Sequence, residues 1–211
     1  MTTEQLYDYK NYLHDYISDK RYRHVMNVVK WAVCLAKRYG ADEKKCELAA
    51  ALHDLLKQKD DNTLLHWAAP FDIINSVSPQ NLNALLHGPA AARYIKEEFG
   101  VQDEDIISAV YYHTTGKPNM TLVQKIVFLA DMIGEDRSYQ GVEQLRSLAL
   151  KDIDRAVFTA LKNNIVFLAQ ENRVIATKTV DAYNDYALLL KRREEDDSNR
   201  DGDPGSGSTE G

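Results

Sequence analysis

Apolar residues recur every three or four positions along most of this chain, and that period restricts it to helices. Leu6, Tyr9, Leu13, Tyr16 and Ile17 form one stripe behind Thr2 and Thr3. Tyr22, Val25, Val29, Val33 and Ala36 form a second, and Ile106, Ala109, Val110 and His113 another. A 3.6-residue period places such side chains on one helical face, which is stabilised by packing on its neighbours. No run reads as a convincing strand ladder. The expected class is all-α, a helical bundle.

Turn and cap residues punctuate the stripes. The second helix opens near Asp19, and Gly40 is placed to end it as a left-handed cap. A third starts near Asp42 and runs through Cys46, Ala49, Ala50 and His53 to about Gln58. Residues 59–77 read as irregular, with one short helix around 64–68. Ser78-Pro79 reads as a cap with proline at the first helical position. That helix ends at His87-Gly88, and Pro89 opens the next, which stops at Gly100. Residues 114–119 form a turn, and Thr121 caps a helix through Val127, Phe128 and Asp131. Two helices follow near 141–150 and 152–171, then an extended stretch from Arg173 to Val180 and a last helix over about 181–193. The predicted organisation is a single domain over 1–193. A disordered tail over 194–211, EEDDSNRDGDPGSGSTEG, has nothing from which to build a core.

Composition narrows the function. A net charge of −6 argues against broad contact with nucleic-acid backbone, although a small basic pocket for one phosphate group remains open. No apolar run approaches the roughly 20 residues that span a bilayer. The polar N-terminus does not resemble a secretory signal, so a cytoplasmic location is expected. Cys34 and Cys46 do not form a Cys-x-x-Cys pair and read as small apolar helix residues. Tyr7, Tyr9, Tyr12 and Tyr16 offer a face for a homodimer, or else pack on the domain's own core.

Chemistry concentrates in the histidines. There are six, and His24, His53, His87 and His113 all sit at helix positions beside structural breaks. Asp54 follows His53 directly, and their side chains can converge on an ion from two sides of a helix. Lys57 lies four residues from His53, facing the same rim. Ala49, Ala50, Ala51 and Leu52 precede the pair, so two polar groups end a small apolar run and need a buried partner. A metal would supply one. Imidazole and carboxylate without sulfur suit iron, manganese, zinc or cobalt. Such an ion polarises phosphoryl oxygens and lowers the pKa of bound water. Each feature alone is weak, since a lone histidine on an apolar face is usually a satisfied core residue. The order is what carries weight: histidine, His-Asp, two more histidines, then Asp131 after an apolar helical run.

In that order the chain resembles the HD-domain phosphohydrolases, and within them the YqeK-like symmetrical diadenosine tetraphosphate hydrolases. The stretches that carry the resemblance are RYRH (21–24), AAALHDLLK (49–57), LHG (86–88), YHTTG (112–116) and VFLAD (127–131), over about residues 10–190. The resemblance implies a helical HD-domain bundle with His24, His53, Asp54 and Asp131 as ligands of iron or a related metal. It implies that His87 and His113 lie on the open side, to bind a second ion or to contact phosphate and assist proton transfer. Asp54, His87, His113 and Asp131 are then the catalytic set. Substrate contacts fall to His24, Lys57, His87, His113, Thr114, Gly116 and Arg137, the last matching the family's phosphate-binding arginine. The segment Ile175, Ala176, Thr177, Lys178, Thr179 and Val180 aligns with a nucleotide-contacting strand.

The family usually reads Glu-Pro before that arginine, whereas this chain has Ile133-Gly134-Glu135-Asp136-Arg137, and the 175–180 segment lacks an expected proline. The implied reaction is attack of metal-bound hydroxide near the middle of diadenosine tetraphosphate, giving two ADP. The rivals are an HD-type phosphatase or phosphodiesterase on another nucleotide, and a non-catalytic helical nucleotide-binding protein whose metal is structural.

Overall fold

Ser18 and Gly40 set the two ends of the helix that carries His24. The Ser18 hydroxyl accepts from the Arg21 amide, satisfying an orphan N–H of the first turn. Gly40 adopts φ 70° at the other end, where the left-handed conformation favours glycine. The structure is a computed structural model and describes residues 9–68 and 82–201. Its helices are α1 (Tyr9–Tyr16), α2 (Asp19–Tyr39), α3 (Glu43–Leu52), α4 (Asp61–Ala68), α5 (Leu82–Glu97), α6 (Glu104–Tyr112), α7 (Leu122–Ile133), α8 (Val142–Ala149), α9 (Ile153–Gln170) and α10 (Thr177–Asp201). Among the described residues there is no strand. The all-α bundle is what the periodicity predicts.

At the centre, α2 packs on α3 and α7, and α6 packs on α3, α5 and α7. Alanine recurs at these crossings: Ala32 and Ala36 on α2, Ala49, Ala50 and Ala51 on α3, Ala90, Ala91 and Ala92 on α5, Ala109 on α6 and Ala130 on α7 are all buried. Small side chains set short interaxial distances, which brings the polar ends of these helices together. Thr121 caps α7 as expected. Gln124 adds a reciprocal bond, accepting from the Thr121 amide at 2.8 Å, and ties α7 to α6 through Ser108 at 2.7 Å.

Several sequence expectations are corrected. The third helix stops at Leu52 rather than Gln58. Residues 53–59 instead form tight turns, with Leu55 N bonded to Leu52 O, Lys57 N to Asp54 O and Lys59 N to Leu56 O. The expected break at His87-Gly88 is absent, because α5 runs through both glycine and Pro89. Gly88 serves packing instead of termination. A Cβ there would lie 2.9 Å from the Tyr111 carbonyl oxygen and 3.3 Å from His113 Cε1. The Ser78-Pro79 cap lies outside the described residues.

The stretch read as extended from 173 to 180 is part loop and part helix. The Ala176 carbonyl accepts from the Thr179 and Val180 amides and starts α10. Thr179 is buried in that helix's packing face. That helix also continues through Asp201, into the expected tail. Arg155 reaches Glu194 at 3.1 Å, and Ser198 donates to the Glu194 carbonyl at 2.8 Å. Residues 202–211 lie outside the described residues. Tyr12 and Tyr16 stack on each other, and Tyr12 meets Phe99 edge-on, so their rings serve the domain's own packing. No helix of the described residues is long and apolar enough to cross a membrane.

Alanine at Gly88 must displace the Tyr111 carbonyl or open α5 from α6. The expected cost is about 1–3 kcal/mol, read as a lower urea midpoint at unchanged slope. An unchanged midpoint would show that the two helices are not in the contact described.

Candidate metal centre

Four imidazoles point their Nε2 atoms into one space, and each is fixed there by its Nδ1. His53 follows the last residue of α3 and reaches back to the Ala50 carbonyl at 2.6 Å. His113 does the same at the end of α6, to Val110 at 2.7 Å. His87, inside α5, binds the Asn83 carbonyl at 2.7 Å. His24, on α2, binds Asp136 Oδ2 at 2.8 Å. Carbonyl and carboxylate oxygens only accept, so each Nδ1 carries the hydrogen and a neutral ring offers its Nε2 lone pair inward.

Two carboxylates complete the set. Asp54 comes from the turn after α3 and Asp131 from the end of α7. His24 Nε2 lies 3.2 Å from Asp131 Oδ1 and 3.6 Å from Asp54 Oδ2. His53 Nε2 lies 3.5 Å from the same Asp54 oxygen. The other Asp54 oxygen faces His87 Nε2 at 3.2 Å and His113 Nε2 at 3.6 Å. Within each of two groups, His24/His53/Asp131 and His53/Asp54/His113, the donor atoms lie within 4.8 Å of one another.

These residues fit a metal ion. Nε2 of His24 and of His53 are buried without a hydrogen-bond partner, which costs on the order of 1–3 kcal/mol for each unsatisfied group. A cation against both lone pairs removes that cost. Nitrogen and carboxylate oxygen without thiolate are the donors of iron, manganese, cobalt and zinc sites.

The same ordered residues fall inside a family model described as HD domain, which matches residues 21–155. The chain belongs to the HD-domain family. A symmetrical bis(5'-nucleosyl)-tetraphosphatase of Halalkalibacterium halodurans is 41% identical over 182 residues, covering 84% of this chain and 94% of that protein. One of the same description from Bacillus subtilis is 38% identical over 168 residues, covering 80% and 90%. The crystal structure of a Clostridium acetobutylicum protein, described as a predicted HD superfamily hydrolase involved in NAD metabolism, superposes with a TM-score of 0.78. It is 30% identical and covers 90% of this chain and 98% of its own.

Cations ring the acids of this HD domain. Arg21 Nη1 donates to Asp54 Oδ2 at 2.6 Å. The Arg137 guanidinium pairs with the Asp131 carboxylate, and its Nε donates to the Asp131 carbonyl at 2.8 Å. Lys57 Nζ lies 3.2 Å from His87 Nε2, and Thr114 Oγ1 lies 3.1–3.2 Å from Nε2 of His113 and His87. Burial alone would raise the pKa of Asp54, but in the metal-free protein protons on the facing imidazoles of His53, His113 and His87 stand in for a cation and hold it well below the usual range. Burial opposes ionisation of Asp131 too, and His24, Arg137 and His53 prevail. Burial lowers the pKa of Lys57. It also pushes His87 down to about 4, against the pull of Asp54.

The structure thus gathers His24, His53, Asp54, Lys57, His87, His113, Thr114, Asp131 and Arg137. Gly116 stands nearby at φ 65°, but its amide donates to the Tyr112 carbonyl at 2.8 Å and its α-carbon faces Leu161 and Ala182. Ile175 and Ala176 precede α10, and Thr177 to Val180 open it. Thr179 is buried there, while Thr177, Lys178 and Val180 are exposed. Arg21 and Asp136 were given no role from sequence. Arg21 lies one turn before His24 on the same helix, which is a readable signal. Asp136 offers none beyond its place beside Arg137.

The depressed His87 pKa has a measurable consequence. In the metal-free protein the folded ring favours the neutral form, so its contribution to stability is present above pH 6.5. That contribution is lost as pH falls toward 4, by at most about 1.4 kcal/mol per pH unit. Histidine NMR should find His87 titrating near 4. A midpoint near 6.5 would rule out the burial account.

Proposed function

We propose that this chain hydrolyses diadenosine tetraphosphate symmetrically to two ADP. The observation that carries the reading is the paired cluster, His24, His53, Asp131 and Asp54 on one side and His87, His113, Lys57 and Thr114 on the other. It sits in a chain that matches symmetrical bis(5'-nucleosyl)-tetraphosphatases over nearly their whole length.

In this reading His24, His53, Asp54 and Asp131 hold the ion. The donor set suits iron, with manganese, cobalt and zinc as alternatives. Such an ion, when bound, supplies Lewis acidity and water of lowered pKa. The chain's own groups do the rest. Arg137 is 37% exposed beyond Asp131, so its planar fork can turn to a bridging tetraphosphate and pair two phosphoryl oxygens. Lys57 adds a positive charge on the opposite rim.

The reaction joins water oxygen to the second or third phosphorus and breaks the central P–O–P link. One ADP leaves, and the other keeps the new oxygen. His87 is neutral at pH 7 and presents its Nε2 lone pair beside Asp54, where it can take and return a proton. His113 Nε2 faces it at 2.9 Å, with both Nδ1 hydrogens already committed. Two lone pairs at that distance repel unless a proton or cation lies between them, which supports a second ion or a shared proton at this pair. Thr114 steers a phosphate oxygen from the same side.

The purified protein should convert diadenosine tetraphosphate to ADP alone, followed by chromatography. AMP with ATP would overturn the symmetric reading. Arg137→Ala should lower kcat/KM by about 10²–10³ with little change in melting temperature. Asp54→Ala should abolish both bound metal and turnover.

A further inference from the structure

Gly134 stands where the backbone does not require glycine. Its φ of −46° and ψ of 151° are open to any residue. What it supplies is room. A Cβ at this position would lie 2.9 Å from Asp136 Oδ1 and 3.8 Å from the Asn27 Cβ. The space is therefore filled by the Asp136 carboxylate, which is held from both sides. Oδ2 accepts from His24 Nδ1 at 2.8 Å, and Oδ1 accepts from Asn27 Nδ2 at 3.2 Å. Asn27 is three residues from His24 on α2, so Asp136 spans one turn of that helix.

The loop that presents Asp136 is itself clamped. The Arg137 amide donates to the Gly134 carbonyl at 2.9 Å. Arg146 on α8 donates to the carbonyls of Ile133 at 2.9 Å, Gly134 at 2.6 Å and Arg137 at 3.0 Å. These bonds fix the backbone on both sides of Asp136.

His24 differs here from its three neighbours. His53, His87 and His113 are oriented by carbonyls of their own helices, three or four residues back. His24 depends on a side chain 112 residues away. We propose that Asp136 is the positioning residue for His24. It holds the Nδ1 hydrogen so that Nε2 is aimed at the metal position, and Gly134 is kept small to admit it. This rests on reading His24 as a metal ligand. An outer carboxylate of this kind fixes the tautomer and raises the basicity of a ligating imidazole.

The test uses the full-length protein stripped of metal and titrated with Co2+ by calorimetry, with thermal unfolding of each metal-free variant alongside. Asp136→Ala should weaken Co2+ binding about 10- to 100-fold. Asp136→Asn should recover most of that loss, because an amide oxygen still accepts from Nδ1. Gly134→Ala should weaken binding by pushing the carboxylate aside, and should add nothing in an Asp136→Ala background. Nitrogen NMR of His24 should show the Nδ1–H tautomer in wild type and a mixture in Asp136→Ala. Wild-type affinity in Asp136→Ala, or multiplicative losses in the double variant, would overturn the proposal. Failure of the wild-type protein to bind Co2+ would instead sink the metal-centre reading on which it stands.

Discussion

The bond from each motif imidazole's Nδ1–H to a fixed oxygen is the constraint on which the rest of the molecule depends. It leaves a lone pair on the opposite nitrogen and decides where that lone pair points. Three of the four oxygens are backbone carbonyls near helix ends or inside a helix, so the direction of each ring follows from the helix itself. Helix C-termini leave carbonyls without intrahelical partners. His53 and His113, directly after α3 and α6, use those ends as supports.

Convergence then requires the helices to approach closely. Alanine at the crossings and Gly88 against the Tyr111 carbonyl provide this. The cluster is costly as bare protein, since buried ring nitrogens lack partners and two carboxylates stay ionised against their burial. The residues beside it in sequence, Leu52, Leu55, Leu56, Leu86 and Phe128, are buried in the apolar core.

Much of this was legible in the sequence, for identifiable reasons. Period and caps located α2, α6, α7 and α9, because their apolar stripes, Gly40 and Thr121 act locally. The order His24, His53-Asp54, Asp131 pointed to one cluster through its resemblance to the HD-domain pattern, and the apolar run before His53-Asp54 asked for a buried partner. What misled was residues whose role is tertiary. Gly88-Pro89 reads as a helix break, yet the glycine admits a neighbouring backbone. Residues 173–180 read as extended, yet with Thr179 buried their second half is helical and opens α10. Asp136 stayed invisible because its partner lies on another helix, and no spacing rule links them.

Asp54 lies between the two halves of the cluster, one oxygen toward His24 and His53, the other toward His87 and His113. Charge drawn from one oxygen is no longer available at the other. Whatever occupies one half therefore alters the affinity of the second, and linkage makes the effect reciprocal. The carboxylate is a shared wall between the two halves, and a cation drawn to one of its oxygens would lessen the charge presented at the other.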